Sequence, residues 1–279
     1  MSAYLLPDGH VQIAFSGGRT SGFMLHQLLE ANGDLPDRCE VTFQNTGREM
    51  PQTLDFVTEV GRRWGVEITW LEYRSEKPFF EIVGRQGASI NGEPFEALIE
   101  RRKFLPNQQT RFCSMELKVR TAKRFLRSIG WDHWTNCVGI RADEPHRLNK
   151  PKPKDRWTVW TPLADAMISR HDVAAFWYRQ PFDLELPNVR GNCWLGNCDG
   201  CFLKSEASIA AFTREYPERA AWWERMEARL QGKTKSFATA QFSKRYSRAE
   251  MREFMERQGD WTLSTEGALC QANHGECVA

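Results

Sequence analysis

Two groups of residues in this chain have the types and spacing to do chemistry. The first is Ser16-Gly17-Gly18-Arg19-Thr20-Ser21, which follows the apolar run Val11-Gln12-Ile13-Ala14-Phe15 and precedes a helically spaced segment, Gly22 to Leu29. Strand, small-residue loop and helix together form an anion cradle. Glycines let the backbone come close, amides face the anion, and the helix N-terminus adds partial positive charge. Ser16, Thr20 and Ser21 add hydroxyls, and Arg19 adds a fixed cation. The segment matches neither the kinase P-loop nor the dinucleotide Gly-x-Gly-x-x-Gly pattern. Phosphate binding is the expectation; an ordinary turn is the competing reading.

The second group is a cysteine loop. Gly191-Asn192-Cys193-Trp194-Leu195-Gly196-Asn197-Cys198-Asp199-Gly200-Cys201 sets three thiols within nine residues, and the glycines let the loop wrap a centre. A fourth ligand is needed, and Cys113 is the candidate. Four cysteines suit a 4Fe-4S cluster or a structural zinc. Iron–sulfur is favoured because zinc sites usually show two Cys-x-x-Cys knuckles, and here one thiol is far away in sequence. Cys39 and Cys137 fall in expected strands and read as core. Cys270 and Cys277 lie in a polar tail, where Cys277 is a candidate nucleophile or persulfide carrier and incidental tail cysteines are the competing reading.

These residues need elements to position them. Strands are expected at 11–15, 39–44, 66–73, 135–140 and 157–161, and helices at 22–29, 51–60, 114–128, 169–179, 205–231 and 247–258. Short helical pieces are expected near 79–83 and 95–103, within an otherwise irregular stretch. Pro51 opens one helix, Ser169 with Asp172 caps another, and Ser247-Arg248-Ala249-Glu250 is a capping box. Alternating strands and helices argue for an α/β fold, a doubly wound, mostly parallel, Rossmann-like sheet with a helical C-terminal extension carrying the cysteine loop. The expected division is a nucleotide-binding domain over 1–165 and a helical region over 166–279. Ligands of such sheets sit beyond the carboxyl ends of the strands, where Ser16, Asn45 and Gly139 fall.

Four segments in order resemble one family. Ser-Gly-Gly-x-x-Ser at 16–21 is similar to the pyrophosphate loop of the adenine nucleotide α-hydrolase-like superfamily. Asn45-Thr46-Gly47-Arg48-Glu49-Met50-Pro51-Gln52-Thr53 resembles the Asp/Asn-Thr-Gly…Pro-Glu-Thr segment of its phosphoadenosine phosphosulfate reductase branch. Cys113-Ser114-Met115-Glu116-Leu117-Lys118 is similar to that branch's Cys-x-x-x-x-Lys, and Gly139-Ile140-Arg141-Ala142-Asp143-Glu144 to its Gly-x-Arg-x-x-Glu. The pattern of one distant cysteine and a clustered trio also resembles the iron–sulfur members, including the DNA phosphorothioation ATP pyrophosphatases. The resemblance implies ATP or a related adenine nucleotide at Ser16–Ser21, Asn45, Thr46, Gly47 and Gly139. Among the charged residues, Arg141 is a candidate catalytic clamp on phosphate and Asp143 or Glu144 a candidate Mg²⁺ ligand, with a solvated loop as the competing reading. Lys118 is a second catalytic candidate that could face phosphate or offset a negative cluster. The chain departs from the family where Ser114 replaces the second cysteine of some sulfate reductases, and where Cys277 lacks the Gly and His expected after it.

Three functions follow. An ATP pyrophosphatase would adenylate an acceptor and then transfer sulfur to it. A sulfonucleotide reductase would attack sulfur with a thiolate. A nucleotide-sensing module would bind without turnover. The acceptor, whether nucleobase, DNA or metabolite, is open, as are a thiol or persulfide donor protein and a homo-oligomer. At 279 residues with 41% apolar content the chain can bury a sizeable core, and a net charge of +2 imposes no strong overall field. No apolar run approaches the roughly 18 residues of a membrane span. The N-terminus lacks a secretion signal, so a cytoplasmic, non-membrane protein is expected.

Overall fold

The computed structural model describes residues 2–148, 155–189, 192–233 and 240–258. One six-stranded sheet organises the chain, in the order β4-β3-β2-β1-β5-β6. Its strands are β1 (Val11–Ala14), β2 (Cys39–Asn45), β3 (Thr69–Tyr73), β4 (Phe80–Val83), β5 (Trp134–Val138) and β6 (Trp157–Trp160). All neighbours pair in parallel except β3 and β4. The central strand β1 is wholly buried, as a strand covered on both faces must be. Connections run through α1 (Arg19–Asn32), α2 (Pro51–Trp64), α3 (Glu93–Arg102) and α4 (Thr121–Ser128). The chain order reverses at β1, whose neighbours are β2 and β5, so the switch point lies at the Ser16 loop.

Two expectations from sequence are corrected. Within 79–83, Phe80–Val83 form the antiparallel strand β4, not a helical piece: Phe80 pairs with Tyr73 and Ile82 with Leu71. The helix expected over 114–128 opens as a π-helix, Ser114–Arg120, before α4 takes over. There the Thr121 hydroxyl donates to the Glu116 carbonyl (2.8 Å), and Lys118 and Glu116 are both turned into the protein. Wide turns of this kind recur at functional sites because they re-aim side chains.

After the short α5 (Pro162–Asp165), α6 (Arg170–Tyr178) packs on α1. Its capping box is formed: the Ser169 amide donates to Asp172 (2.8 Å). A two-stranded ribbon, β7 (Asn188–Val189) with β8 (Asn192–Cys193), leads into the cysteine loop. The helix expected over 205–231 is two, α7 (Glu206–Glu215) and α8 (Pro217–Leu230), separated where Pro217 cannot continue the ladder. The last described helix is α9 (Arg248–Gln258). Trp222 and Trp223 of α8 are core residues, in edge-on contact with each other and with Phe95 and Phe242 nearby. No helix among the described residues is long and apolar enough to cross a membrane.

Candidate functional site

The Ser16–Ser21 loop leaves the carboxyl end of β1 and enters α1 at Gly18. Ser21 knits it together. Its hydroxyl accepts from the amides of Ser16 (3.2 Å) and Gly18 (3.3 Å), lies 3.0 Å from the Ser16 hydroxyl, and donates to the Gly18 carbonyl (3.0 Å). The two glycines differ. Gly17 has φ +72°, and a Cβ there would lie 2.8 Å from Thr53 Cγ2 and 3.1 Å from Phe43 Cε2. Gly18 has φ −108°, and a Cβ there would meet only Ser16 Oγ at 3.6 Å. Gly17 thus lets the loop lie against α2 and the sheet, while Gly18 is the open face that an anion can approach.

The helix start is held from outside by residues that the sequence did not flag. Trp177 of α6 donates its indole N–H to the Arg19 carbonyl (2.8 Å) and fills the space over Gly22. The Arg19 guanidinium pairs with Asp183, so its charge is already engaged within the protein. Arg141, just beyond β5, donates to the Thr20 hydroxyl (3.1 Å) and pairs with Asp143 (2.8 Å) and Glu144 (3.4 Å). Glu144 also holds Arg147, and Asp143 accepts the Arg170 amide (3.1 Å). Burial works against charge on Asp143, but that amide and the Arg141 guanidinium outweigh it and hold the carboxyl below its usual range. Gly139 lies against the backbone of Ser21 and Thr20. Phosphate at this loop would therefore find Arg141 beside it, and a metal on Asp143 or Glu144 would compete with their ion pairs.

The Asn45-Thr46-Gly47 segment follows β2. Asn45 is fully buried and structural in its contacts: its amide donates to Glu72 (2.6 Å) and the Ser89 carbonyl (2.8 Å), and its oxygen accepts the Gly47 amide (3.0 Å). Gly47, at φ +78°, has Gly92 and Pro94 where a side chain would go. Thr46 links this segment to the thiols, its hydroxyl lying 3.2 Å from Cys198 Sγ.

Partners from the Arg48 segment, α8 and α9 hold the cysteine loop there. Asp199 is wholly buried and its carboxylate accepts from Arg48 (2.7 Å), Arg219 (2.6 Å), Trp223 Nε1 (2.8 Å) and the Gly200 amide (2.7 Å). Its amide donates to the Arg48 carbonyl (2.8 Å), and Arg248 reaches the Gly200 carbonyl (2.6 Å). Gly200 lies directly under the Trp223 indole, where any Cβ would fall 2.4 Å from Nε1. Sequence reasoning missed Asp199, Arg48, Arg219 and Trp223 as a unit. The signal was Arg48 inside the second motif and Asp199 between two cysteines.

Cys113, Cys198 and Cys201 line one apolar cavity with Lys118, Asn197, Thr46, Phe95 and Trp223. Cys193 is outside that lining, at the head of the same loop, with its sulfur near Gly196. All four are free thiols. Burial, with mutual repulsion from Cys198, pushes the Cys113 thiol up to about 12. Burial and the Glu49 carboxylate push Cys198 to about 12 as well, against the Lys118 ammonium and the Thr46 hydroxyl. Among the described residues no group of three or more His, Cys, Asp or Glu stands in ligating arrangement. Of the remaining expectations, Cys137 is buried in the core, and His26 sits edge-on between Trp64 and Phe176. Cys270 and Cys277 lie outside the described residues.

A mostly parallel sheet with a glycine loop at its switch point, and a thiol-lined cavity reached from the next strand's end, is an α/β, Rossmann-like arrangement. The chain belongs to the phosphoadenosine phosphosulfate reductase domain family, whose model matches residues 10–167. It is 32% identical over 221 residues to the uncharacterized nin region protein ORF290 of Escherichia phage lambda, covering 71% of this chain and 67% of that protein. It is 32% identical over 134 residues to the uncharacterized protein MJ0066 of Methanocaldococcus jannaschii, covering 48% of this chain and 23% of that one. Among solved structures it is similar to a phosphoadenylyl-sulfate reductase from Candida auris in a phosphate complex, with TM-score 0.42 and 15% identity over 68% of this chain and 87% of the other. It is also similar to the U34-tRNA thiolase NcsA from Methanococcus maripaludis with its 4Fe-4S cluster, with TM-score 0.43 and 15% identity over 98% of this chain and 81% of the other. At that identity and TM-score neither likeness bears on function.

Proposed function

We propose that this chain is an ATP pyrophosphatase-type enzyme of sulfur chemistry. The observation that carries the reading is the shared edge: Thr46, from the loop beside the Ser16–Ser21 cradle, is 3.2 Å from Cys198 in the thiol cavity. ATP or a related adenine nucleotide would seat its phosphates on Ser16–Ser21, with Arg141 and Thr20 beside them. An acceptor oxygen attacks the α-phosphorus, the bond to the bridging oxygen breaks, and pyrophosphate leaves. Sulfur then displaces the adenylate. In-line transfer of this kind needs chiefly positioning and charge neutralisation. Arg141 and Mg²⁺ on Asp143 or Glu144 would supply the second, and Lys118 would hold negative charge in the thiol cavity.

The donor chemistry fits a 4Fe-4S cluster: three soft ligands share one cavity with a lysine, and the fourth, Cys193, begins the same loop. Cys113, Cys193, Cys198 and Cys201 would hold it. When bound, it would supply a redox centre beside the proposed nucleotide site. The second reading, a sulfonucleotide reductase with Cys277 as nucleophile, is favoured by the family match itself. Ser114 directly after Cys113 weighs against it.

The deciding experiment is pyrophosphate release from ATP and sulfite release from a sulfonucleotide, measured anaerobically for wild type and Cys277→Ser. We expect pyrophosphate, undiminished in the variant. Sulfite release abolished by Cys277→Ser would establish the reductase instead, and tight nucleotide binding without product would establish a sensor. The same preparation should carry about four irons per chain. Serine at Cys113, Cys193, Cys198 or Cys201 should strip them, and serine at Cys39 or Cys137 should not. Stoichiometric zinc without iron would refute the cluster.

A further inference from the structure

The π-helix that begins beside Cys113 and sends Lys118 into the thiol cavity continues into α4 with a different outer face. Two adjoining cavities open there, together lined by Arg101, Arg102, Arg120, Lys123, Arg124 and Arg127, with Arg120 and Arg124 common to both. Glu116 is the sole carboxylate in either lining. It pairs with Arg102, Arg120 (2.6 Å) and Arg124 (3.5 Å), while Arg127 pairs with Asp132 outside. Six cations against these two carboxylates leave an excess of four, on a chain whose total is only +2. This face thus carries more formal positive charge than the chain's total.

One carboxylate cannot satisfy three guanidinium groups. Arg124 Nη1 is buried with no hydrogen-bond partner, a cationic donor left unpaired at a cost. Phe79 stacks under both Arg101 (5.0 Å) and Arg124 (5.0 Å), Phe112 under Arg102 (5.5 Å), and Trp157 under Lys123 (5.7 Å). These rings hold the cations in place and leave their charge available.

The shape selects the ligand class. Arg120, Arg124 and Arg127 recur at helical spacing, so they form a row along one face about 10 Å long. A lone phosphate needs one cup. A row of that length reaches about two successive phosphates of one strand, more than a single phosphate cup would take. Guanidinium forks suit such oxygens. We infer that this face grips the phosphate backbone of a nucleic acid, making nucleic acid the acceptor class for the sulfur chemistry proposed above. The inference rests on that proposal only for the word acceptor, since the binding itself is independent of turnover.

The test is fluorescence anisotropy of the full chain with labelled oligonucleotides of about 20 nucleotides, RNA and DNA, single-stranded and duplex, at about 50 and about 200 mM salt. We expect binding that weakens at least about tenfold over that rise. Arg120→Gln with Lys123→Gln should weaken it about tenfold more and lower the salt slope by about 0.7–0.9 for each cation removed, with ATP affinity unchanged. Lys123→Gln alone, which leaves Glu116 fully paired, should give half the slope change and guards against misfolding of the double variant. No binding at low salt to any of the four would overturn the inference, as would binding that neither variant alters. Equal competition by polyglutamate would replace it with an acidic protein partner, and by inorganic pyrophosphate at equal charge with a free phosphate. Pyrophosphate release by a chain that binds no oligonucleotide would sink this inference and spare the proposed activity; the converse would do the reverse.

Discussion

The Ser16–Ser21 loop and the cysteine loop lie at the same sheet edge but are held in different ways. The turn of the first is knit by neighbours in sequence, with Ser21 reaching back three to five residues, and distant residues brace only the helix start that follows. The second is held by side chains from other segments, with Asp199 bonded to Arg48 across 151 positions and to Arg219 and Trp223 of α8 across 20 and 24. Local hydrogen bonds cost little chain entropy to close and survive the loss of one member. A loop fixed by a single buried carboxylate depends on that carboxylate. The cysteine loop thus depends on its surroundings, and Cys198 and Cys201 share a cavity with Cys113 in the folded chain.

The sharpest way to break this contrast is Asp199→Ala. It would leave Arg48, whose side chain is 3% exposed, and Arg219 without their shared partner. Stranding a buried charge costs about 3–5 kcal/mol. Urea unfolding should show that loss, and metal uptake by the cysteines should fall with it. The Ser16–Ser21 loop makes no contact with Asp199, so nucleotide affinity of the folded fraction should hold. A variant of unchanged stability would show that the cysteine loop does not depend on this carboxylate.

A second contrast concerns protons. Cys113 and Cys198, both pushed to about 12 by burial, stay neutral in the metal-free fold where an ordinary thiol near 9 begins to ionise. Their alkylation at pH 8 should be slower than that of a free thiol by on the order of a hundredfold or more. The sign for stability follows. Raised folded values favour the fold fully below about 9, and that contribution is lost as pH rises from about 9 to about 12. Metal-free protein should lose stability over that window, and serine at either position should flatten the slope. Rapid labelling at pH 8 would mean that the cavity is open to solvent.

What was legible in sequence follows the same division. The strand-loop-helix at 11–32, the caps at Pro51 and Ser169 and the strands β2, β5 and β6 were readable because local periodicity and capping chemistry determine them. Strand β4 was not, because Phe80–Val83 is an exposed edge segment whose state is set by pairing with β3. The π-turn was not, since Ser114–Arg120 has ordinary helical composition and its widening depends on burying Glu116 and Lys118 together. Spacing singled out Cys193, Cys198 and Cys201, and the third motif Cys113; of these, Cys113, Cys198 and Cys201 share one cavity. The Asp199 network that carries the loop was hidden because Arg48, Asp199, Arg219 and Trp223 come from three separate segments. Arg19 read as a phosphate ligand by position, and its pairing with Asp183 is a tertiary fact.

The smallest effect lies within the nucleotide loop, where the two adjacent glycines should part company. Gly17→Ala forces a side chain into φ +72° and within 2.8 Å of Thr53 and 3.0 Å of Val57 on α2. Left-handed backbone costs a non-glycine residue about 1–2 kcal/mol, and the packing conflict adds to it. Its effect should appear in thermal unfolding, with about 2 kcal/mol lost. Gly18→Ala has an extended backbone and only Ser16 Oγ at 3.6 Å, so stability should change by less than about 0.5 kcal/mol. Its methyl group would instead occupy the space left for a phosphate, and nucleotide affinity should fall about tenfold, close to the 1.4 kcal/mol of one weakened contact. Calorimetry and melting of the two variants side by side separate the roles. If Gly18→Ala bound nucleotide as wild type does, the open face of this loop would not be where phosphate sits, and the anion would have to be sought nearer Arg141.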